Sequence, residues 1–302
     1  MDNGLHFISG LPRSGSTLLA GILRQNPKMH AGMSSPVGPL FARVLQGMGP
    51  RNEFSVLMTI EQRQDMLRGL FDSYYKRIQE SQIVFDTNRI WCAKMAAIAE
   101  LFPQSRVIVC VRELAWIIDS FEAILRRNPL VTTRMFRQQD AATVYTRVGS
   151  LASPSGTVGY AWNAVQEAFY GEHAGKLVVI DYEALTREPK RALDFIYETL
   201  GLPSFEHDFD NVTYDEGDGV DAQLGVPGLH AVARKVRFSE RQTILPIDLF
   251  ERFNGRNFWR RPRANPRQVA VLLPSTARPR GMPPAGMGPP PAGAGMMRLG
   301  GA

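Results

Sequence analysis

Cysteine is nearly absent: the 302 residues hold two, Cys92 and Cys110. Two thiols exclude a disulfide framework and a cysteine-rich zinc site. Cys110 sits within an apolar run that suits a small buried side chain. No apolar stretch reaches the roughly 18 residues that a bilayer-spanning helix needs. The opening, MDNGLHFISGLP, lacks the basic start and long apolar segment of a secretory signal. A chain without a membrane span, in a reducing cytoplasmic compartment, is the expectation. Acidic residues are missing from one region. Between Arg263 and Ala302 there are five arginines and no Lys, Asp or Glu. Taking those five charges from the net +6 leaves +1 for residues 1–262, so the body of the chain is close to neutral. Bulk charge therefore gives no support to a nucleic-acid partner.

What is present is an ordinary globular composition, 44% apolar and 21% charged. Four short β-branched runs stand out: Leu5–Ser9, Ile83–Asp86, Val107–Val111 and Leu177–Asp181. Apolar runs without alternation suit strands buried on both faces of a parallel sheet. Between and after them lie stretches with helical periodicity at Ser16–Gln25, Ile60–Ser81, Leu114–Arg127, Gly159–Tyr170, Pro189–Leu200 and Pro246–Phe253. Pro189 suits a first helical turn and Gly201 a helix stop. Alternating strands and helices predict an α/β fold with helices on both faces of the sheet. After Trp259 the composition breaks. Residues 263–302 hold eight Pro and seven Gly, too little apolar surface to offset the entropy of ordering. One domain over 1–262 and a disordered Pro/Gly-rich tail over 263–302 are expected.

The most informative segment is Gly10-Leu-Pro12-Arg13-Ser14-Gly15-Ser16-Thr17, between the first strand and the first helix. A loop there aims backbone N–H groups and the positive end of a helix dipole at one point, which favours a phosphate. Glycines let the backbone come close, Arg13 adds a bidentate cation, and Ser14, Ser16 and Thr17 add hydroxyls. The ATP-binding pattern GxxxxGK[ST] would require Lys at position 16, where this chain has Ser.

Pro12-Arg-Ser-Gly-Ser-Thr17 resembles the 5′-phosphosulfate loop of the sulfotransferase superfamily, approximately P-[KR]-S-G-[ST]-T. The Arg form is similar to the tyrosylprotein sulfotransferases and to a group of bacterial sulfotransferases. A second family element, an Arg closing a later strand and a Ser eight residues on, has its counterpart in Arg112 and Ser120. Leu101-Phe-Pro-Gln-Ser105, Tyr182 and the helix from Pro189 extend the likeness over roughly residues 5–260. The resemblance implies a P-loop NTPase-like, three-layer fold around a central parallel sheet. It implies 3′-phosphoadenosine 5′-phosphosulfate (PAPS) as sulfuryl donor and no metal. Pro12, Arg13, Ser14, Gly15, Ser16, Thr17, Arg112, Ser120 and Tyr182 would hold the donor, with Arg234 and Lys235 lying over the nucleotide. Arg13 would also act on the transferring group.

The acceptor is expected to be a hydroxyl, or an amine, on a small molecule, saccharide or peptide. Its binding loops are expected at 38–61 and 127–155. The family's general base has no match here. Ala31–Val37 lacks the Glu of the tyrosylprotein enzymes, and Phe85-Asp-Thr-Asn-Arg89 lacks the His of the cytosolic ones. Asp86 is the expected base, with His30 and His230 as the other candidates. Trp91 and Trp116 are expected in the core or pocket wall. Two other readings stand beside sulfuryl transfer: an ATP-dependent P-loop kinase, for which Asp181 is the strand-end candidate for magnesium, and a nucleotide-binding module without turnover.

Overall fold

The computed structural model describes residues 4–78, 82–130, 133–214, 218–261 and 265–275. Its centre is a six-stranded sheet of β1 (Leu5–Gly10), β2 (Met29–Ala31), β3 (Ile83–Thr87), β4 (Val107–Val111), β5 (Leu177–Asp181) and β6 (Ala270–Leu272). The spatial order is β2-β3-β1-β4-β5-β6, and every pairing is parallel. From β1 the chain runs to the edge strand β2, returns to β3 beside β1, and then crosses to β4 on the other side. The crevice at the carboxyl ends of β1, β3 and β4 is thus a topological switch point, where ligands of open α/β sheets bind.

The four predicted strand runs all form strands. Their side chains alternate between two apolar layers. Phe7, Val107, Val109, Leu177 and Val179 face one, and Ile8, Phe85, Ile108, Cys110, Val178 and Ile180 face the other. The helices are α1 (Ser16–Leu23), α2 (Val37–Gly47), α3 (Ile60–Tyr74), α4 (Met95–Leu101), α5 (Leu114–Arg127), α6 (Val144–Ala152), α7 (Thr157–Tyr170), α8 (Tyr182–Arg187), α9 (Pro189–Leu200), α10 (Asp218–Leu224) and α11 (Ile247–Phe253). They cover both faces of the sheet and complete a three-layer, P-loop NTPase-like α/β fold. Residues 38–61, expected as a loop, hold α2 and a 3-10 turn, and 127–155 hold α6. Helix α3 begins with a capping box between Thr59 and Gln62. Helix α9 starts with Pro189 and stops at Gly201, whose φ of 66° is left-handed.

Strand β6 corrects the domain boundary. Val269 and Leu272 are buried, and Ala270–Leu272 pairs with Val178–Ile180 of β5. The folded unit therefore continues past residue 262. Pro266 and Pro274 mask a short apolar run, Val269–Leu273, which is long enough for an edge strand. The rest of the Pro/Gly-rich segment, from 276 on, lies outside the described residues.

Trp91 is wholly buried against Phe7, Phe41 and Phe71, with the nearest ring centroid 5.0 Å away. Trp116 packs on Phe250. Both cysteines are buried and unbridged, and burial pushes each thiol up to about 12. No helix among the described residues is long and apolar enough to cross a membrane.

Candidate active site

The turn from β1 into α1 is built around backbone that requires glycine. Gly10 has φ 120°, and a Cβ there would lie 2.1 Å from the Cys110 carbonyl oxygen. Gly15 caps α1 with φ 94° and no side-chain hydrogen bond, leaving the first-turn N–H groups of the helix without intrahelical acceptors. Ser14 is buried, and its hydroxyl donates to the Leu11 carbonyl and, at 2.9 Å, to the Cys110 carbonyl. Its side chain fastens the loop to β4 and is not turned toward a ligand, contrary to the hydroxyl role expected for it. Ser16 and Thr17, by contrast, line an open cavity of about 570 Å³.

Residues far apart in sequence meet at this cavity. Arg13 donates through Nε to Ser120 Oγ at 3.2 Å and through a terminal nitrogen to the Leu229 carbonyl. Arg112, just beyond β4, donates to the Arg13 carbonyl at 3.2 Å and lies over the Tyr182 ring, 4.2 Å from its centroid. Pro12, Arg13, Gly15, Ser16, Thr17, Arg112 and Tyr182 all line the cavity wall. Ser120, on the second turn of α5, is buried behind Arg13.

Burial, then the nearby charge of Arg112, brings the Arg13 guanidinium down to about 10. Burial lowers Arg112 as well. Neither cation has a carboxylate within ion-pair distance among the described residues. Elsewhere, three arginines pair with buried carboxylates: Arg260 with Asp181, Arg147 with Glu122, Arg241 with Asp119. Removing charges from water without a partner is costly, so this pair is set up for an anion from outside. The donor set of two guanidiniums, two hydroxyls and a helix N-terminus suits two separated phosphate-type groups.

Other predicted residues lie elsewhere. Asp86 is fully buried below the cavity. Oδ2 accepts from Ser35 at 2.6 Å and Tyr75 at 2.7 Å, and Oδ1 accepts from the Trp91 indole at 2.8 Å. Burial nonetheless holds its carboxyl above the usual range. With three donors on two oxygens and no cavity face, Asp86 joins β3 to the layer around Trp91 and cannot reach an acceptor hydroxyl. His30 packs edge-on to Tyr75 on β2, away from the cavity. Arg234 turns to Asn211 at 3.3 Å and leaves the cavity, whereas Lys235, paired with Asp210 at 2.8 Å, reaches its rim.

Several cavity residues were missed. Arg89 follows β3 in a 3-10 turn pinned by Ser9, which donates to the Arg89 carbonyl and accepts from the Cys92 N–H. Arg134, Met135, Thr157, Leu224 and Arg237 also line the wall. The basic stretch Arg234–Arg241 signalled Arg237, but which of its cations turns inward depends on the chain's path. Nothing local marks Arg134 or Met135. Among the described residues no cluster of three or more His, Cys, Asp or Glu has metal-binding geometry.

Fold and site together define an α/β protein with a polar, arginine-lined crevice beyond a glycine loop. Residues 6–207 match the Sulfotransferase family, and the chain belongs to it. Among solved structures it is similar to the sulfotransferase domain of the Synechococcus PCC 7002 olefin synthase, at 20% identity and a TM-score of 0.45, covering 82% of this chain and 94% of that one. The sulfotransferase domain from the curacin biosynthetic pathway gives 19% identity and a TM-score of 0.48, covering 91% and 94%. A sulfotransferase from Alicyclobacillus acidocaldarius gives 16% and 0.44, covering 73% and 89%.

Proposed function

We propose that this protein transfers the sulfuryl group of PAPS to a hydroxyl-bearing acceptor. The observation that carries the reading is the Arg13–Arg112 pair: two guanidiniums beside Ser120 and the N-terminus of α1, with no carboxylate within ion-pair distance among the described residues. PAPS supplies the anions this arrangement lacks. Its 5′-phosphosulfate is assigned to the loop N–H groups, Arg13, Ser16 and Thr17. Its 3′-phosphate is assigned to Arg112 and Ser120, with the Tyr182 ring holding the Arg112 plane.

Sulfuryl transfer, like phosphoryl transfer, needs alignment and charge stabilisation more than covalent help from the protein. Arg13 is assigned to the negative charge that builds on the leaving phosphate. Its fixed, bidentate cation stabilises that charge without reorganising. Arg89, Arg134, Met135 and Thr157 are assigned to the acceptor side of the cavity.

The kinase reading loses its magnesium candidate. Asp181 is fully buried, accepts from Arg260 at 2.7 and 2.9 Å and from the Trp259 indole at 3.0 Å, and caps α8 through the Glu183 N–H. It does not line the cavity. Incubation with ³⁵S-labelled PAPS and a panel of alcohols, phenols and saccharides tests the proposal. Label moving into an acceptor supports it. PAPS binding without turnover would instead describe a binding module.

A further inference from the structure

With Asp86 sequestered, an acceptor hydroxyl still needs a group to take its proton. The cavity wall offers one. Helix α10 ends in a turn in which the Val226 N–H donates to the Asp221 carbonyl at 2.9 Å and the Leu229 N–H to the Val226 carbonyl at 3.1 Å. That turn folds His230 back over Asp221. The Asp221 side chain is 3% exposed, and its carboxylate grips His230 twice. Oδ2 accepts the His230 backbone N–H at 2.9 Å, and Oδ1 pairs with ring Nδ1. Facing an ionised carboxylate, which only accepts, a neutral His230 ring would hold its proton on Nδ1 and keep the Nε2 lone pair. His230 lines the same cavity as the glycine loop. Its neighbour Leu229 accepts a hydrogen bond from Arg13, which ties the segment carrying the ring to the cation assigned to the transferring group.

We propose that His230, oriented by Asp221, is the general base of the transfer. This rests on the PAPS reading above. As the acceptor oxygen forms its bond to sulfur, the bond from sulfur to the bridging oxygen breaks. The leaving adenosine 3′,5′-bisphosphate takes that electron pair, and the acceptor proton passes to His230 Nε2. The imidazolium that results faces Asp221, which stabilises it; Asp221 is a positioning residue and touches no substrate. Asp221 on its own segment contacts the ring, and the charged groups lining the cavity it shares are Arg13 on the loop with Arg89, Arg112, Arg134, Lys235 and Arg237.

The test uses the full chain, labelled PAPS, the acceptor panel and a water-only control in which slow PAPS hydrolysis is read as bisphosphate release. His230→Gln should lower turnover about 100-fold or more. Its affinity for adenosine 3′,5′-bisphosphate should stay within about threefold, a change near 0.6 kcal/mol. In the wild type, turnover should fall as pH drops and the ring protonates, and His230→Gln should lose that acid limb. Added imidazole should restore part of the activity of His230→Ala. Asp221→Asn should slow turnover about tenfold or more and, by ¹⁵N NMR of the bisphosphate complex, shift the ring away from the Nδ1–H tautomer. Turnover in His230→Gln within about threefold of wild type, or an unchanged acid limb, would overturn the assignment. If the wild type binds the bisphosphate but consumes no PAPS, a ring that is Nε2-protonated in that complex overturns it and the Nδ1–H tautomer supports it. If the wild type does not bind the bisphosphate at all, the PAPS reading fails first, and this inference with it.

Discussion

The Arg112 guanidinium lies over the Tyr182 ring, 4.2 Å from its centroid, while donating to the Arg13 backbone carbonyl at 3.2 Å. The ring supports a cation that has no carboxylate within ion-pair distance among the described residues, and the hydrogen bond ties it to the glycine loop. Arg112→Ala should weaken binding of adenosine 3′,5′-bisphosphate by about 30-fold or more. Arg112→Lys should recover little of this, because an ammonium neither stacks nor binds in a fork. Tyr182→Leu should cost about three- to tenfold. Calorimetry on the three variants measures all of these, and an Arg112→Lys protein of wild-type affinity would argue against the planar geometry.

Gly10 is a steric requirement. Gly10→Ala places a Cβ 2.1 Å from the Cys110 carbonyl at φ 120°. The loop and β4 must part, at a cost of about 2–4 kcal/mol. Thermal melts should show the loss, with bisphosphate binding falling in the fraction that remains folded.

Asp86 is predicted to matter for stability and not for chemistry. In Asp86→Asn the amide group must face either the Trp91 N–H or the Ser35 and Tyr75 hydroxyls, so one buried donor loses its acceptor, at about 1–3 kcal/mol. Denaturant melts measure this. Because burial raises the Asp86 carboxyl above the ordinary carboxylate range, its folded form holds a proton that the unfolded chain has released. The wild type's advantage over Asp86→Asn should therefore shrink as pH rises from that ordinary range through the raised value. Bisphosphate affinity and turnover per folded molecule should not change.

The legible part of the molecule was the part written in contiguous residues. The four strand runs and the loop from Gly10 to Thr17 announce themselves locally, as does Arg112 at the end of an apolar run. Ser120 was reached through its spacing from Arg112. What was not legible depends on chain path. Strand β6 is three residues between prolines, and only its pairing with β5 makes it a strand. Asp86 stands at a strand end, as a base should, but its side chain alternates into the aromatic layer beneath the site. His230 is a lone histidine in sequence; its meaning comes from Asp221, nine residues back, across a turn.

The position of β6 sets a boundary that truncation can measure. A chain ending at Ser275 keeps β6 and should keep the melting temperature and bisphosphate affinity of the full protein. A chain ending at Arg261 exposes the β5 edge and the apolar faces under Val269 and Leu272, and should melt lower or aggregate. Equal stability of the two would contradict the role given to β6.

The most direct test of the central claim is calorimetric titration of the purified full chain with adenosine 3′,5′-bisphosphate and, separately, with ATP and magnesium. Sites built from Arg13 and from Arg112 with Ser120 predict tight binding of the bisphosphate, loss of that binding in Arg112→Ala, and weak binding of ATP with magnesium. Preference for ATP with magnesium, or bisphosphate binding that survives Arg112→Ala unchanged, would contradict the account.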